Sequence, residues 1–269
     1  KNVGIAFTTA ERTMSIDDYS EIVLAPAINN LGGKVAVTVM AASEGGVCNY
    51  VSNVDGAGNI IQATYQQYVD ANAVLDDNGA DQMTRRVVND PTSDARMTGT
   101  LTGLLNPTPE ISAQFRTGQM KSGLGYDRWF RDQTVIKHTS GTYNSLGTVN
   151  GANQTTPRQG GSITVNAITG TLKKGDIITF AGVNGVNFVT KADQGVLRQF
   201  VVTADVLTNA TTIPIYPGMV PPVGGLDVQY QTVTASPADG ALIVMHQNQV
   251  KSIVRILPLL RRLLRWLPL

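Results

Sequence analysis

A single cysteine, Cys48, leaves no possibility of a disulfide within the chain. That usage fits a reducing compartment, and the plainest role for a lone cysteine is a small buried apolar side chain. The two histidines, His138 and His246, lie far apart with no cysteine or acidic cluster at metal-ligand spacing, so no metal centre is expected. Signals of catalysis are missing as well. The stretch GGKV lacks the serine or threonine and the upstream glycine spacing of a phosphate-binding loop, and no G-x-S-x-G elbow occurs. Asp17, Asp18 and Glu21 cluster, but acids are ordinary at a helix N-terminus, and Asp76 and Asp77 read as solvated. Trp129 between Arg128 and Arg131 fits an aromatic–basic binding patch or a buried tryptophan with charges on the opposite strand face equally well. The expectation is therefore no enzyme, with no catalytic, cofactor-binding or metal-binding residue and no cofactor.

Charge is scarce: 15 % of the 269 residues, against roughly 25 % in an average globular chain. It is also unevenly spread. Lys251, Arg255, Arg261, Arg262 and Arg265 share residues 251–269 with no acid, and taking these five from the 21 basic residues leaves 16 against 20 acidic, a body of −4. An acidic body does not read as a specific nucleic-acid binder, which needs a basic face. Residues 1–13 have no apolar core of signal-peptide length, and a start at Lys1 is expected of a processed or incomplete chain. What is abundant is apolar side chains, at 42 %, enough for a real core, together with Gly, Thr, Asn and Gln, which suit turns and extended contact surfaces.

Residues 1–14 alternate loosely and read as a strand, one arm of a hairpin. Residues 15–44 keep a helical period through Tyr19, Val23, Ala27 and Leu31, although Pro26 and Gly32–Gly33 oppose a continuous helix. A second helix is expected after Thr64, with Tyr65, Tyr68 and Leu75 on one face and Asn78–Gly79 as its stop. RRVVND reads as a strand, PTSDARMTGTL as a helix opening on Pro91, TPEISAQFRTGQM as another opening on Pro109, and YDRWFRDQTVIKHTSGTY as a return to strand. From about residue 150 the helical period vanishes. SITVNAI, DIITFAG, VNFVTK, RQFVVTADV and TTIPIYP read as strands, parted by the turns KKGD, VNG, DQG and TNA, which makes a small all-β domain of barrel or sandwich type.

The order of RRVVNDPTSDARMTGTL, GLLNPTPEISAQFRTGQMKSGLGYDRWFRDQTV and GTLKKGDIITFAGVNGVNFVTK resembles the major capsid (coat) protein of short-tailed podoviruses, the family with an inserted telokin-like domain. The step from Asn89 to Pro91 and the G-x-x-x-G-D-x-I-x-F-A-G-V run of GTLKKGDIITFAGV fall in the family's order, and the resemblance covers residues 1 to about 245. It implies an α+β chain with the tailed-phage capsid fold (the HK-ninety-seven type), a long spine helix across a β-sheet, plus an inserted small all-β barrel domain. By that analogy residues 1–14 are a strand of the extended loop, 15–150 the peripheral domain with its spine helix at 15–44, and 151–240 the inserted domain, which supports folding and contacts between capsomers. Residues 241–269 are an atypical basic–apolar segment. The implied role is structural: a virion subunit that self-assembles in many copies into an icosahedral capsid around the genome, in the bacterial host cytoplasm, with scaffolding protein and portal as partners. An N-terminal arm and an axial domain, both expected of the family, are not recognisable here, so assembly by this chain is left open. Thr8, Thr9, Glu11, Arg12, Asp17 and Asp18 are the candidate intersubunit contacts.

On a helical wheel the basic residues of 251–269 fill about a third of the circle and Leu, Ile and Trp most of the rest, the form of an interfacial membrane helix. Pro258 interrupts it and leaves too little length for a membrane span. The abrupt change from −4 to +5 favours an out-of-frame origin over a selected membrane helix. Two rival functions remain: a membrane-active protein working through this segment, and a ligand- or carbohydrate-binding β-module. The second needs an exposed aromatic platform, whereas most of Phe180, Phe188, Phe200, Tyr216 and Tyr230 are expected to be buried.

Overall fold

A computed structural model describes residues 18, 20–51, 64–100, 117–118, 122–135, 137–144, 146–222, 228–246 and 251–252. The strand expected over 1–14, almost all of the helix expected over 108–120, and residues 253–269 lie outside them.

The first long element is a π turn, Ser20–Leu24, running into helix α1, Ala25–Ser43, and a 3-10 turn, Glu44–Gly46. Pro26 explains the π turn. It has no N–H for the carbonyl four residues back, and π bonding shifts to the fifth residue just where Pro26 enters. Gly32 and Gly33 sit in open space within α1 without ending it. No residue of α1 is buried.

Helix α2, Tyr65–Asp77, starts as its sequence dictates. The Gln67 side-chain oxygen accepts from the Thr64 backbone N–H and, at 2.8 Å, from its hydroxyl, while the Thr64 side chain accepts from the Gln67 backbone N–H, which completes a capping box. Asn78 ends it, donating its side-chain N–H to the Val74 carbonyl at 2.7 Å, and Gly79 follows at φ 69°. Tyr68 and Leu75 are buried, but Tyr65, in the first turn, is 43 % exposed, so the expected three-residue face is a two-residue one.

Strand β1, Arg86–Asn89, leads through helix α3, Pro91–Thr100, to strand β2, Arg128–Arg131, which pairs with it in parallel. Trp129 turns inward, with Tyr68 at 4.9 Å and Tyr126 at 5.6 Å between ring centres, and joins Val87 and Met97 in a small core. Arg128 and Phe130 face out, whereas Arg131, on the Trp129 side of the strand, donates from Nε to the buried Asp94 carboxylate at 2.8 Å. The buried-tryptophan reading of this stretch is therefore the right one. Beside this core Arg85 is 1 % exposed, and all its N–H groups find acceptors. Nε donates to the Asp81 carbonyl at 3.0 Å, Nη2 to Asp76 at 2.7 Å and the Ala80 carbonyl at 2.8 Å, and Nη1 to both the backbone and side-chain oxygens of Asn72. The cation thus sits near the C-terminal end of α2, taking the carbonyl of Asn72 within the helix and those of Ala80 and Asp81 just past it, the favourable end of the helix dipole.

After the short β3, Lys137–His138, comes a larger β body: β4 (Gly161–Thr164), β5 (Ile177–Phe180), β6 (Asn184–Val186), β7 (Asp193–Leu197), β8 (Phe200–Val202), β9 (Thr212–Tyr216) and β10 (Ile243–Met245). Five strands form one antiparallel sheet in the order β10-β5-β8-β9-β4. Every residue of β5 is buried, and Phe180 meets Phe200 edge-on at 5.5 Å in the main core. Both sheet edges are covered in part. Residues 147–150 bond to both: Asn150 N–H donates to the Thr164 carbonyl beside β4 at 3.1 Å, and Ile243 N–H of β10 donates to the Gly147 carbonyl at 3.0 Å. The buried Tyr143 hydroxyl fixes this segment by accepting from Gly147 N–H and donating to the Ile243 carbonyl.

Two local expectations are overturned. VNFVTK is no strand, and VNG and DQG are not turns: Asn184–Val186 and Asp193–Leu197 pair as a hairpin with residues 187–192 at its tip. The reason is Asn187, whose side chain accepts from the N–H groups of Val189 and Thr190 at 2.9 and 3.0 Å and so nucleates the turn itself.

Replacing Arg85 by leucine strands the carbonyls it serves, while Asp76 remains partly solvated. Urea unfolding is expected to show a loss of about 1.5–3 kcal/mol, and Arg85→Lys, which keeps charge but not the fork, recovers only part of it.

Candidate functional site

The described residues form no grouping of three or more His, Cys, Asp and Glu able to hold a metal ion. Their most organised polar site is structural, a bridge from the end of α1 to the β body through His138. The His138 ring is 5 % exposed. Its Nδ1 lies 2.7 Å from Glu44 Oε1, and its Nε2 lies 2.8 Å from Asp176 Oδ1. Asp176, wholly buried, also accepts at Oδ2 from the N–H groups of Gly141 (3.0 Å) and Lys173 (2.7 Å). Each ring nitrogen thus faces a carboxyl oxygen at hydrogen-bond distance. One imidazole thereby fastens three pieces of chain: the turn after α1, the connector strand β3, and the KKGD turn before β5.

The backbone is shaped around this bridge. Gly175, the glycine of KKGD, adopts φ 101°, and a Cβ there would come within 2.7 Å of the Glu44 side chain. Gly141 lies so close to the chain that a Cβ would fall 1.9 Å from the Thr171 carbonyl oxygen. A second set of bonds ties the β6–β7 hairpin to α2. Gln194 donates to the Asp77 carbonyl at 2.8 Å, Arg198 donates to the Asn78 side chain at 2.7 Å, and Phe188 packs over Gly79. Gln199 completes the seam by accepting from Tyr50 N–H at 2.7 Å and donating to its carbonyl at 2.9 Å, as a strand would.

Two carboxyls along this seam are held below the usual carboxylate range. Asp76 is lowered by hydrogen bonds from Arg85 and Gln82, and Asp193 by those from Gly195 N–H and Asn184. Burial pushes the thiol of Cys48 up, as befits an unreactive cysteine, although the residue is only half-buried. His246 Nε2 lies 2.9 Å from the Thr179 hydroxyl.

Of the expected contact residues, Asp18 is exposed ahead of the π turn. Thr8, Thr9, Glu11, Arg12 and Asp17 lie outside the described residues. The surface also carries features that sequence reading missed. Phe188 is 65 % and Val189 83 % exposed at the hairpin tip, with the Lys191 ammonium 5.2 Å from the Phe188 ring. Tyr216 and Tyr230 are exposed too, so of the five β-body aromatics only Phe180 and Phe200 are buried. A cleft of about 840 Å3 runs between Thr155–Arg158 and Met219–Pro221, with Arg158 5.0 Å from the Tyr230 ring. Alternation along VNFVTK suggested burial; the Asn187 turn puts the phenylalanine outside instead.

Asp176→Asn removes an acceptor at a fully buried site and is expected to cost about 1–3 kcal/mol. Glu44→Gln, at the wetter end, costs less, and equilibrium denaturation of the pair gives the order. On the acid side, the folded values of Asp76 and Asp193 lie below their unfolded ones. Their contribution is therefore complete above about pH 4 and is lost as pH falls through the lower folded values. Asp76→Asn is expected to flatten that acid limb in a pH series of melting temperatures.

A family model described as "P22 coat protein - gene protein 5" matches residues 13–251. A solved structure, the CUS-3 coat protein I-domain, is similar at 28 % identity, covering 39 % of this chain and 98 % of that one with a TM-score of 0.31. No curated protein matches the chain. The family is one of structural proteins, so neither the ligand-binding nor the membrane-active reading is favoured. A match across most of the sequence, on an α+β architecture, places the chain in the P22 coat protein family, as a structural capsid protein of a bacteriophage.

Proposed function

We propose that this chain is the repeating subunit of an icosahedral shell that closes around a phage genome, assembled in the host cytoplasm with scaffolding protein and portal as partners. The observation that carries this is the family match over residues 13–251. In this reading α1 is the spine helix of an HK-ninety-seven-type peripheral domain spanning 15–150, and residues 151–240 are an inserted β-barrel. Two features support the insertion. The sheet edges are covered by residues 147–150, and chain entry and exit lie side by side, with Val149 N–H donating to the Ala241 carbonyl at 2.9 Å. Residues 241–246, which include β10, complete the sheet of that domain.

Such a subunit needs no active site. It works by repeated contacts, each weak, which a closed symmetric shell multiplies. An acidic body repels packaged DNA rather than gripping it. The hairpin tip with Phe188 and Val189 is the contact surface of the β body, since it presents bare apolar area on a short, braced support. The segment holding Thr8, Thr9, Glu11, Arg12, Asp17 and Asp18 supplies a second contact, by extension over a neighbour.

The test is particle yield, read by sedimentation and electron microscopy of material expressed with its assembly partners. Phe188→Asp with Val189→Asp is expected to lower shell yield at least tenfold while leaving the melting temperature of the free subunit nearly unchanged, as for other exposed positions. Charge reversal at Arg12 or Asp17 is expected to lower yield too. Full yield from all these variants would remove both contact assignments, and the absence of shells from the parent chain would remove the assembly reading.

A further inference from the structure

The sequence contains three Asn–Gly steps, Asn78–Gly79, Asn150–Gly151 and Asn184–Gly185. Each sets a side-chain amide beside a backbone nitrogen that no following side chain shields. Such a step can close on itself: the glycine nitrogen attacks the asparagine Cγ, and a five-membered imide forms within the chain. Closure needs a side chain free to swing, a backbone free to bend and a nitrogen able to give up its proton. The three sites differ in each respect.

Two of them are locked. At the end of α2 the Asn78 side chain donates to the Val74 carbonyl and accepts from Arg198, both at 2.7 Å. Gly79 N–H donates to the Asp76 carbonyl at 2.9 Å, a neutral oxygen that is a poor base. Asn184 lies in β6 with its side-chain nitrogen 3.1 Å from Asp193, and its carbonyl accepts from Thr234 N–H at 3.0 Å. Gly185 bridges to Val233, so closing a ring there breaks strand pairing.

Asn150–Gly151 has the opposite arrangement. Asn150 is exposed in a bend beside β4, and among the described residues no partner holds its side-chain amide. The peptide group that joins the two residues is gripped at both ends instead. Its carbonyl, on Asn150, accepts from Gln154 Nε2 at 2.6 Å, and its N–H, on Gly151, donates to Asp239 Oδ1 at 2.7 Å. The first bond draws electrons toward the oxygen. The second puts a carboxylate on the proton that the nitrogen must lose. Together they favour the deprotonated form of this amide. Gln154 is itself fixed, accepting from Thr164 N–H at 2.6 Å and donating to its carbonyl at 2.8 Å. Gly151 sits at φ 92°, and the nearest atom to a Cβ built there is 3.9 Å away.

We infer that Asn150 is a self-modification site, converted through an imide to aspartate and isoaspartate, with Asp239 as the base and Gln154 polarising the peptide. Asp239 takes the Gly151 amide proton, the N–Cγ bond forms and the Cγ–Nδ2 bond breaks. The departing nitrogen leaves as ammonia with the proton returned by Asp239. Water then opens the imide at either carbonyl, giving aspartate, or isoaspartate with the main chain routed through the side chain. Isoaspartate adds a methylene at the joint where Val149 N–H donates to the Ala241 carbonyl and Gly240 N–H to the Val149 carbonyl. Both products set a second carboxyl beside Asp239. The joint where the chain enters and leaves the β body is thus where the subunit loosens with age.

Peptide mapping by mass spectrometry tests this on the folded full chain, kept warm at neutral pH in heavy-oxygen water. Conversion at Asn150 is expected at least tenfold faster than at Asn78 or Asn184, with label in the new carboxyl and both products present. Equal rates at the three sites, or a faster rate at either of the others, overturns the inference. In concentrated urea the three rates are expected to converge; a lead of Asn150 that persists there belongs to local sequence and overturns the role of the fold. Asp239→Ser keeps an oxygen for Gly151 N–H but no base, and asparagine is avoided because it would precede Gly240 and add a further Asn–Gly step. This variant is expected to slow conversion at least tenfold while amides of Ile177–Phe180 keep their protection from hydrogen exchange. An unchanged or faster rate with that protection intact overturns the assignment of Asp239. The comparison of the three sites in the parent chain decides the inference even if the variant fails to fold.

Discussion

The Glu44–His138–Asp176 bridge is the constraint on which the rest of the arrangement depends. Three groups that would each be costly to bury alone satisfy one another, and the two backbone N–H groups on Asp176 leave that carboxyl no reason to seek water. The bridge spans 94 residues on one side and 38 on the other. It sets where α1 stops, where β3 runs and how the KKGD turn presents β5. Gln194 and Arg198 then fix the β body against the end of α2 at a second place, and Gln199 fixes it against Tyr50. Two separated attachments define an orientation, which a single one would leave free to swing. For a subunit whose role is to present surfaces to many copies of itself, that orientation is the functional quantity.

The β body is fitted to bear such contacts. Its core is built from buried aliphatic and aromatic side chains, and residues 147–150 run along both sheet edges and take up backbone groups there. Among the apolar side chains it leaves outside are Phe188 and Val189 at the hairpin tip. The turn there is stiffened by Asn187 and seated on the end of α2, so apolar side chains are displayed on a support with little freedom to lose.

Much of this was legible in the sequence because the physics is local. Thr64 and Asn78 bracket α2, Pro91 opens α3, and the runs of Val, Ile and Phe between glycine turns mark most strands of the β body. Trp129 was ambiguous on pattern alone and is settled by Tyr68 and Tyr126, brought to it from other elements. Local signals failed where one side chain redirects the backbone. Asn187 makes a turn out of a stretch that alternates like a strand, and Pro26 shifts a helix into π bonding without ending it. The bridge was invisible for another reason: a lone histidine, a glutamate after a helix and an aspartate in a turn are each unremarkable, and only the fold brings them within 2.8 Å. The coat-protein resemblance was readable because it rests on the order of segments, and the family match over residues 13–251 bears it out.

The central claim is that the bridge fixes the β body relative to α1. Pulsed electron–electron double resonance between spin labels at Val37→Cys and Ser162→Cys, both exposed positions, in a Cys48→Ser background reads that directly. The account predicts one narrow distance distribution with His138 in place and a broad one after His138→Ala. A broad distribution with His138 intact, or a narrow one without it, would contradict the account.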